Sequence, residues 1–253
     1  MTSGPGAARF GVPLVRLAVA ESTNDVARLL VSAGTREGAV VLAGRQTRGR
    51  GRLGRVWLSP EGGLWCSIVL RPVGQGPPGL LSLAAGLAAA EAIETVSDVH
   101  AGLKWPNDVV LDGRKVGGVL IESAAGATIA GFGINVRVPL EGLARDVAET
   151  ATSLHLMTGR PVDPEAVLEA LLKRFAGWYD TWLAGGAGIV GAWSRRDATR
   201  GRPLHISISG ETLEGTADGI EPDGALRLKD ASGRVRRVVS GDLVSSQGMA
   251  QGR

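Results

Sequence analysis

From Gly44 to Trp57 the chain reads Gly-Arg-Gln-Thr-Arg-Gly-Arg-Gly-Arg-Leu-Gly-Arg-Val-Trp. Five arginines (Arg45, Arg48, Arg50, Arg52 and Arg55) fall within eleven residues that contain no acid. Guanidinium forks match phosphate and carboxylate oxygens. Glycines such as Gly49 and Gly51 let backbone approach a ligand, supply amide donors and leave the segment able to order on its ligand. Three readings fit this composition: a loop that closes on an anion, an Arg/Gly RNA-binding segment, or a solvated basic loop. The run is internal, lies between two apolar strands, and lacks Arg-Gly-Gly repeats and stacking aromatics, which favours the first. No Gly-Lys-Ser/Thr follows, so it is not a Walker loop.

Three further segments carry polar groups in apolar surroundings. Lys104-Trp105-Pro106-Asn107-Asp108 is followed by Arg114-Lys115-Val116-Gly117-Gly118. An Asn-Asp pair at a strand edge can face an adenine or ribose, orient a hydrated metal, or simply turn the chain. Lys115, beside two glycines, suits charge developing on a phosphate oxygen, or an exposed hairpin. In Gly131-Phe132-Gly133-Ile134-Asn135, glycines inside a strand mark close backbone approach, and Asn135 requires a partner. Ser22-Thr23-Asn24 reads first as a helix cap, although a helix start also accepts polar ligands.

The elements that must position these groups follow from periodicity. Val12–Val19, Ala39–Ala43 and Leu64–Leu70 read as strands, with a helix after Asn24 that stops near Gly34. Arg45 to Arg55 reads as irregular. Gly79–Val96 is a buried or amphipathic helix rather than a membrane span, since it contains Glu91 and Glu94. Short strands Leu103–Trp105 and Val109–Leu111 lead through an Asp112-Gly113 turn into Val116–Glu122, and Ala125-Gly126 turns into Thr128–Val136. Asp163–Leu183 is a long amphipathic helix with Val167, Leu168, Leu171, Leu172, Phe175, Trp178 and Trp182 on one face. A short helix surrounds Trp193. From Pro203 onward only short β-like runs remain, separated by turns such as Pro222-Asp223-Gly224. This predicts a small β-barrel docked on a larger α+β unit, with residues 1–200 and 201–253 as the two domains, both chain ends frayed.

Bulk composition excludes several classes. With 44% hydrophobic and 21% charged residues the chain is globular, not disordered. Cys66 is the single cysteine, which rules out an internal disulfide and suits a reducing, cytoplasmic compartment. Three scattered histidines offer no zinc cluster. A net charge of +3 is too small to imply a polyanion partner.

In order and spacing, the four segments resemble the biotin protein ligases over roughly residues 12 to 246. The resemblance implies a mixed sheet with flanking helices, shared with lipoate ligases and class II synthetases, and an SH3-like C-terminal barrel. It implies synthesis of biotinyl-5′-AMP from biotin and ATP with Mg²⁺, then transfer to a lysine of a biotin carboxyl carrier domain. Biotin would meet Ser22, Thr23, Asn24, Gln46, Gly49, Arg50, Gly51, Arg52, Trp57, Lys115, Gly118 and Gly133. ATP would meet Arg52, Arg55, Trp57, Asn107, Asp108, Lys115 and Asn135, with Lys115 and Arg52 carrying the chemistry. No direct protein ligand for the metal is implied. Leu53 stands where many relatives carry a further basic residue. About twenty residues precede Ser22, so a DNA-binding domain is not expected, nor is a nucleic-acid or membrane partner; a monomer or weak homodimer is. A lipoate or octanoate transferase, or a biotin-responsive regulator without catalysis, is the alternative.

Overall fold

The computed structural model describes residues 9–73, 76–140, 145–208 and 211–244; both expected frayed ends lie outside them. Strand β1 (Leu14–Ala20) enters helix α1 (Thr23–Ser32), which returns through β2 (Val40–Gln46). The Arg/Gly segment, with one 3-10 turn at Arg52–Gly54, leads to β3 (Leu64–Leu70) and helix α2 (Pro78–Val96). Strands β4 (Gly102–Lys104), β5 (Asp108–Leu111), β6 (Arg114–Ala124) and β7 (Ala127–Ile134) form a meander. Helices α3 (Arg145–Thr150), α4 (Leu154–Thr158), α5 (Pro164–Leu183) and α6 (Ile189–Ser194) follow. A second sheet contains β8 (Pro203–Ile208), β9 (Glu211–Ile220), β10 (Leu226–Lys229), β11 (Val235–Val238) and β12 (Asp242–Val244).

The first sheet has seven strands in the order β1-β2-β3-β7-β6-β5-β4, with β1 and β2 parallel and the remaining pairs antiparallel. Strand β3 explains how it carries both a core and a site. All seven of its residues are buried, and alternation sends them to opposite faces. Leu64, Cys66, Ile68 and Leu70 join Ala130, Phe132 and Ile134 of β7 in the main core against α2 and α5. On the other face Val69 packs with Ala27 and Val31 of α1, and Trp65 packs with Val138 and Leu140. Between those two clusters the same face presents Ser67, whose register partner is Gly131. A gap thus opens over the sheet centre, where the side chains are small or polar.

Helix α2 has the length and apolarity of a membrane span, but its Ala and Leu side chains are consumed in the core between the sheet and α5. Fully burying such side chains contributes about 1.5–3 kcal/mol each for Leu. The second sheet, ordered β11-β10-β9-β8-β12, is antiparallel throughout and matches the expected small C-terminal β unit. Its Leu204, Ile206, Ala217, Leu226, Leu228 and Val238 belong to the same core as α2 and α5. Trp105 Nε1 also donates to the Gly224 carbonyl at 3.0 Å, so the two sheets share one interior.

Three expectations are corrected. Strand β2 continues through Arg45 and Gln46, so the Arg/Gly run is not irregular throughout: its first two residues are strand because they pair with Val19 and Ala20 of β1. Ser22 occupies the N-cap of α1 but its side chain makes no capping bond; Thr23 and Asn24 face the sheet instead. On α5 the buried stripe includes Tyr179, while Trp178 and Leu172 are only partly covered. Helices α3 and α4 and strand β12 are too short for their periodicity to be read.

Candidate active site

A cavity of about 680 Å³ lies over the sheet centre. It is lined by Ser22, Thr23 and Asn24 from the start of α1, Gln46 from the end of β2, and Arg50, Gly51, Arg52, Arg55 and Trp57 from the Arg/Gly loop. Asn107, Asp108, Lys115, Gly118 and Gly133 line its other side. Sixty or more residues separate some of these in sequence; the antiparallel β3-β7-β6-β5 ladder brings them together.

One end is a continuous polar network. The Thr23 amide donates to Gln46 Oε1 at 2.7 Å, the Thr23 hydroxyl reaches the same oxygen at 3.1 Å, and Gln46 Nε2 donates to Ser59 Oγ at 2.8 Å. Ser67 Oγ lies 2.7 Å from Thr23 Oγ1 and 2.6 Å from Asn24 Oδ1. Asn24 Nδ2 donates to Glu122 Oε2 at 2.5 Å, which fixes the orientation of the amide. Asn24 can occupy this place because its neighbour is Gly131: a Cβ there would stand 2.4 Å from Asn24 Oδ1. Buried amides and hydroxyls held in fixed orientation suit a small ligand with paired donors and acceptors.

The other end concentrates charge. Lys115 Nζ lies 2.6 Å from Asp108 Oδ1 and 4.9 Å from the centroid of the Trp57 ring. A lysine held between a carboxylate and an indole face is placed, but its remaining donors stay available to an anion. The indole rests on the cross-strand pair Gly118–Gly133. A Cβ on Gly133 would stand 2.6 Å from Trp57, which the ring in this place excludes, and one on Gly118 would crowd it at 3.3 Å.

The Arg/Gly loop crosses the mouth. Arg50 Nη1 and Nη2 donate to Asp25 Oδ2 and Oδ1 at 2.5 and 2.7 Å. The hydrogen bond from Arg50, before any other cause, holds the Asp25 carboxyl below the usual carboxylate range, and Asp25 in turn raises Arg50. Arg52 reaches the second sheet, donating to the Gly241 carbonyl and Ser240 Oγ at 3.3 Å. Arg45 and Arg48 are exposed, and Arg48 pairs with Glu21 at 3.1 Å.

Of the residues expected at the site, Gly49 and Asn135 do not line the cavity. Gly49 is buried beneath the loop, its carbonyl accepting from the Trp57 amide at 2.9 Å, and a Cβ there would stand 2.4 Å from the Trp57 carbonyl. Asn135 Nδ2 donates to the Thr152 carbonyl at 3.0 Å and so braces the segment before α4. Asn107 lines the cavity but spends Nδ2 on the Val119 carbonyl, at 2.7 Å. Sequence reasoning missed Ser67, Glu122 and Ser59, the supports of the polar end, and Asp25, which holds Arg50. Ser67 had a legible signal, a lone hydroxyl in an otherwise apolar strand; the others look like ordinary surface residues.

Comparison with known proteins gives concordant matches. Residues 17–138 match the biotin/lipoate A/B protein ligase family and residues 201–244 the biotin protein ligase C-terminal domain. The chain is 38% identical over 230 residues to a biotin–[acetyl-CoA-carboxylase] ligase of Paracoccus denitrificans, covering 86% of this chain and 95% of that one. It is 32% identical to the bifunctional ligase/repressor BirA of Bacillus subtilis, covering 92% of this chain and 74% of the relative. The biotin protein ligase of Aquifex aeolicus, solved with biotin and ATP, superposes with a TM-score of 0.82 at 31% identity, covering 91% and 97% of the two chains.

Proposed function

The chain belongs to the biotin protein ligase family, and from that membership and the two-ended cavity we infer an ATP-dependent ligase that activates biotin as biotinyl-5′-AMP and transfers it to a carrier lysine. The observation that carries the reading is the pairing, within one cavity, of the Thr23–Asn24–Gln46–Ser67 network with the Lys115–Asp108–Trp57 group.

The chemistry follows from charge. A carboxylate attacking the α-phosphate of ATP is anion approaching anion, and pyrophosphate leaves. Lys115, with Arg52 at the mouth, offsets that repulsion and the charge that grows on the phosphate. The polar end grips the ureido ring and points the acid's tail toward Lys115, while Trp57 packs the junction. Asn107 and Asp108 line the nucleotide side; Gly49 and Asn135 act by holding the loop and the Thr152 segment. In the second half-reaction the carrier's lysine amine attacks the mixed anhydride and AMP leaves.

Mg²⁺ fits this site as a passenger on the triphosphate. It takes oxygen ligands and commonly one or two protein carboxylates, and Asp108 and Glu149 line the cavity. When bound it would supply further neutralisation of phosphate charge. The carrier is a biotin-accepting domain of a carboxylase, and the working division is a catalytic unit of residues 1–200 with the small β unit after it.

Pyrophosphate release with Mg-ATP and biotin, lipoate or octanoate tests the reading. Turnover with biotin alone is expected. Turnover with lipoate or octanoate and none with biotin would reassign the enzyme, and biotin binding without pyrophosphate release would leave a regulator.

A further inference from the structure

We propose that Asp25 is a positioning residue: it clasps Arg50 and so holds the Arg/Gly loop closed over the activated acid. This rests on the ligase reading for its functional arm but not for its structural one.

The clasp is a four-charge cluster that adjoins the cavity's polar network and joins it through Glu122. Asp25 takes Arg50 through two near-parallel bonds of 2.5 and 2.7 Å and also accepts from Arg28 Nη1 at 2.6 Å. Glu122 Oε2 completes it, 3.4 Å from Arg28 Nη2 and 3.5 Å from Arg50 Nη2. Two guanidinium groups face two carboxylates, so the charges cancel. The end-on fork fixes both distance and orientation of Arg50, which a single bond would not. Glu122 is also the acceptor for Asn24 Nδ2, at 2.5 Å. The loop anchor and the ligand-facing amide therefore share one carboxylate.

The loop depends on such anchors. Its entry is held to the body where the Thr47 and Arg48 amides donate to the Ala20 and Glu21 carbonyls at 2.9 and 2.8 Å; beyond Arg48 the bonds from the Gly51 amide to the Arg55 carbonyl and from the Trp57 amide to the Gly49 carbonyl are internal and make it a small hairpin. Leu53, Arg55 and Val56 at its tip are exposed. Arg50 ties its inner arm to the first turn of α1, while Arg52 ties its tip to Ser240 and Gly241 at the longer distance of 3.3 Å. The first turn of α1 also contributes Thr23 and Asn24 to the polar end. A ligand that orders those residues steadies the clasp, and a closed clasp retains the ligand.

The test uses Asp25→Asn and the charge-keeping Asp25→Glu in the full chain. Limited trypsin digestion reads the loop, whose cleavage sites Arg48, Arg50, Arg52 and Arg55 it carries itself. The Asn variant should be cut about fivefold faster there than wild type, the upper range for a partly exposed but bidentate pair. It should also raise the KM for biotin and the free biotinyl-AMP by about the same factor, with kcat for pyrophosphate release little changed. The Glu variant should recover most of the protection. Raised salt should speed loop cleavage in wild type, relative to a reference peptide, and have little effect on the Asn variant. Equal cleavage of wild type and Asp25→Asn, or a salt response that survives the substitution, would overturn the clasp. A wild-type protein that makes no biotinyl-AMP would instead sink the ligase reading, leaving the cleavage result standing on its own.

Discussion

The indole of Trp57 lies against Gly133 so closely that a Cβ on the glycine would stand 2.6 Å from its Nε1. That contact also sets Lys115, whose ammonium sits 4.9 Å from the same ring's centroid. The pocket's cation is thus positioned through an aromatic that only a glycine-floored sheet admits.

Gly133→Ala should therefore act at a distance. The methyl pushes the indole off the sheet, and Lys115 loses the face it rests on. Overpacking of this kind costs about 1–3 kcal/mol. The expected outcome is a raised KM for ATP and biotin with a shifted tryptophan emission. Unchanged emission and kinetics would show that the ring has room to spare.

Lys115→Ala removes the cation itself and leaves Asp108 without its 2.6 Å partner. By analogy with loss of one electrostatic donor, adenylation should slow by about 10²–10³. Circular dichroism should be unchanged, because Lys115 is about one-third exposed and outside the core. Single-turnover rates near wild type would take Lys115 out of the chemistry.

Arg52→Ala cuts the loop's contact with Ser240 and Gly241. Free biotinyl-AMP in solution should rise, since both a closing contact and a cation lining the cavity are lost. A level no higher than wild type, measured by chromatography after rapid filtration, counts against closure by this residue.

Ser67→Ala leaves Asn24 Oδ1 without the hydroxyl now 2.6 Å away in a fully buried position. Orphaning a buried acceptor costs about 1–3 kcal/mol. Both thermal stability and biotin affinity should fall, and calorimetry reads both. A loss of stability with full biotin affinity would make Ser67 a packing residue only.

Burial pushes the Cys66 thiol up to about 12 from its ordinary 9.0. The folded state keeps the thiol protonated, so its contribution is complete below pH 9.0 and is lost as pH rises toward 12. Cys66→Ala should flatten the alkaline fall in stability over that range. In the native protein Cys66 should resist thiol reagents until unfolding, and rapid native labelling would show that β3 opens.

How much of this was legible depends on range. Strand β3 and helices α2 and α5 were readable almost to the residue, because each buries a continuous apolar run or stripe whose period is local. The glycines of β6 and β7 announced close approach, yet nothing in their vicinity named Trp57 or Asn24 as the groups approaching, since those residues lie far away in sequence. Asp25 and Glu122 carry no local signal of their partners for the same reason.

The sequence by itself determined the longer elements, the order of the four polar segments and hence the family, because periodicity and motif spacing are one-dimensional properties. Only the tertiary structure decided which side chains line the cavity and which hold others in place. Asn135 and Gly49 brace the site, Ser67 and Glu122 orient Asn24, and Arg50 is spoken for by Asp25. Those assignments depend on sheet register and on where buried polar groups find partners, and both are settled only when distant strands meet.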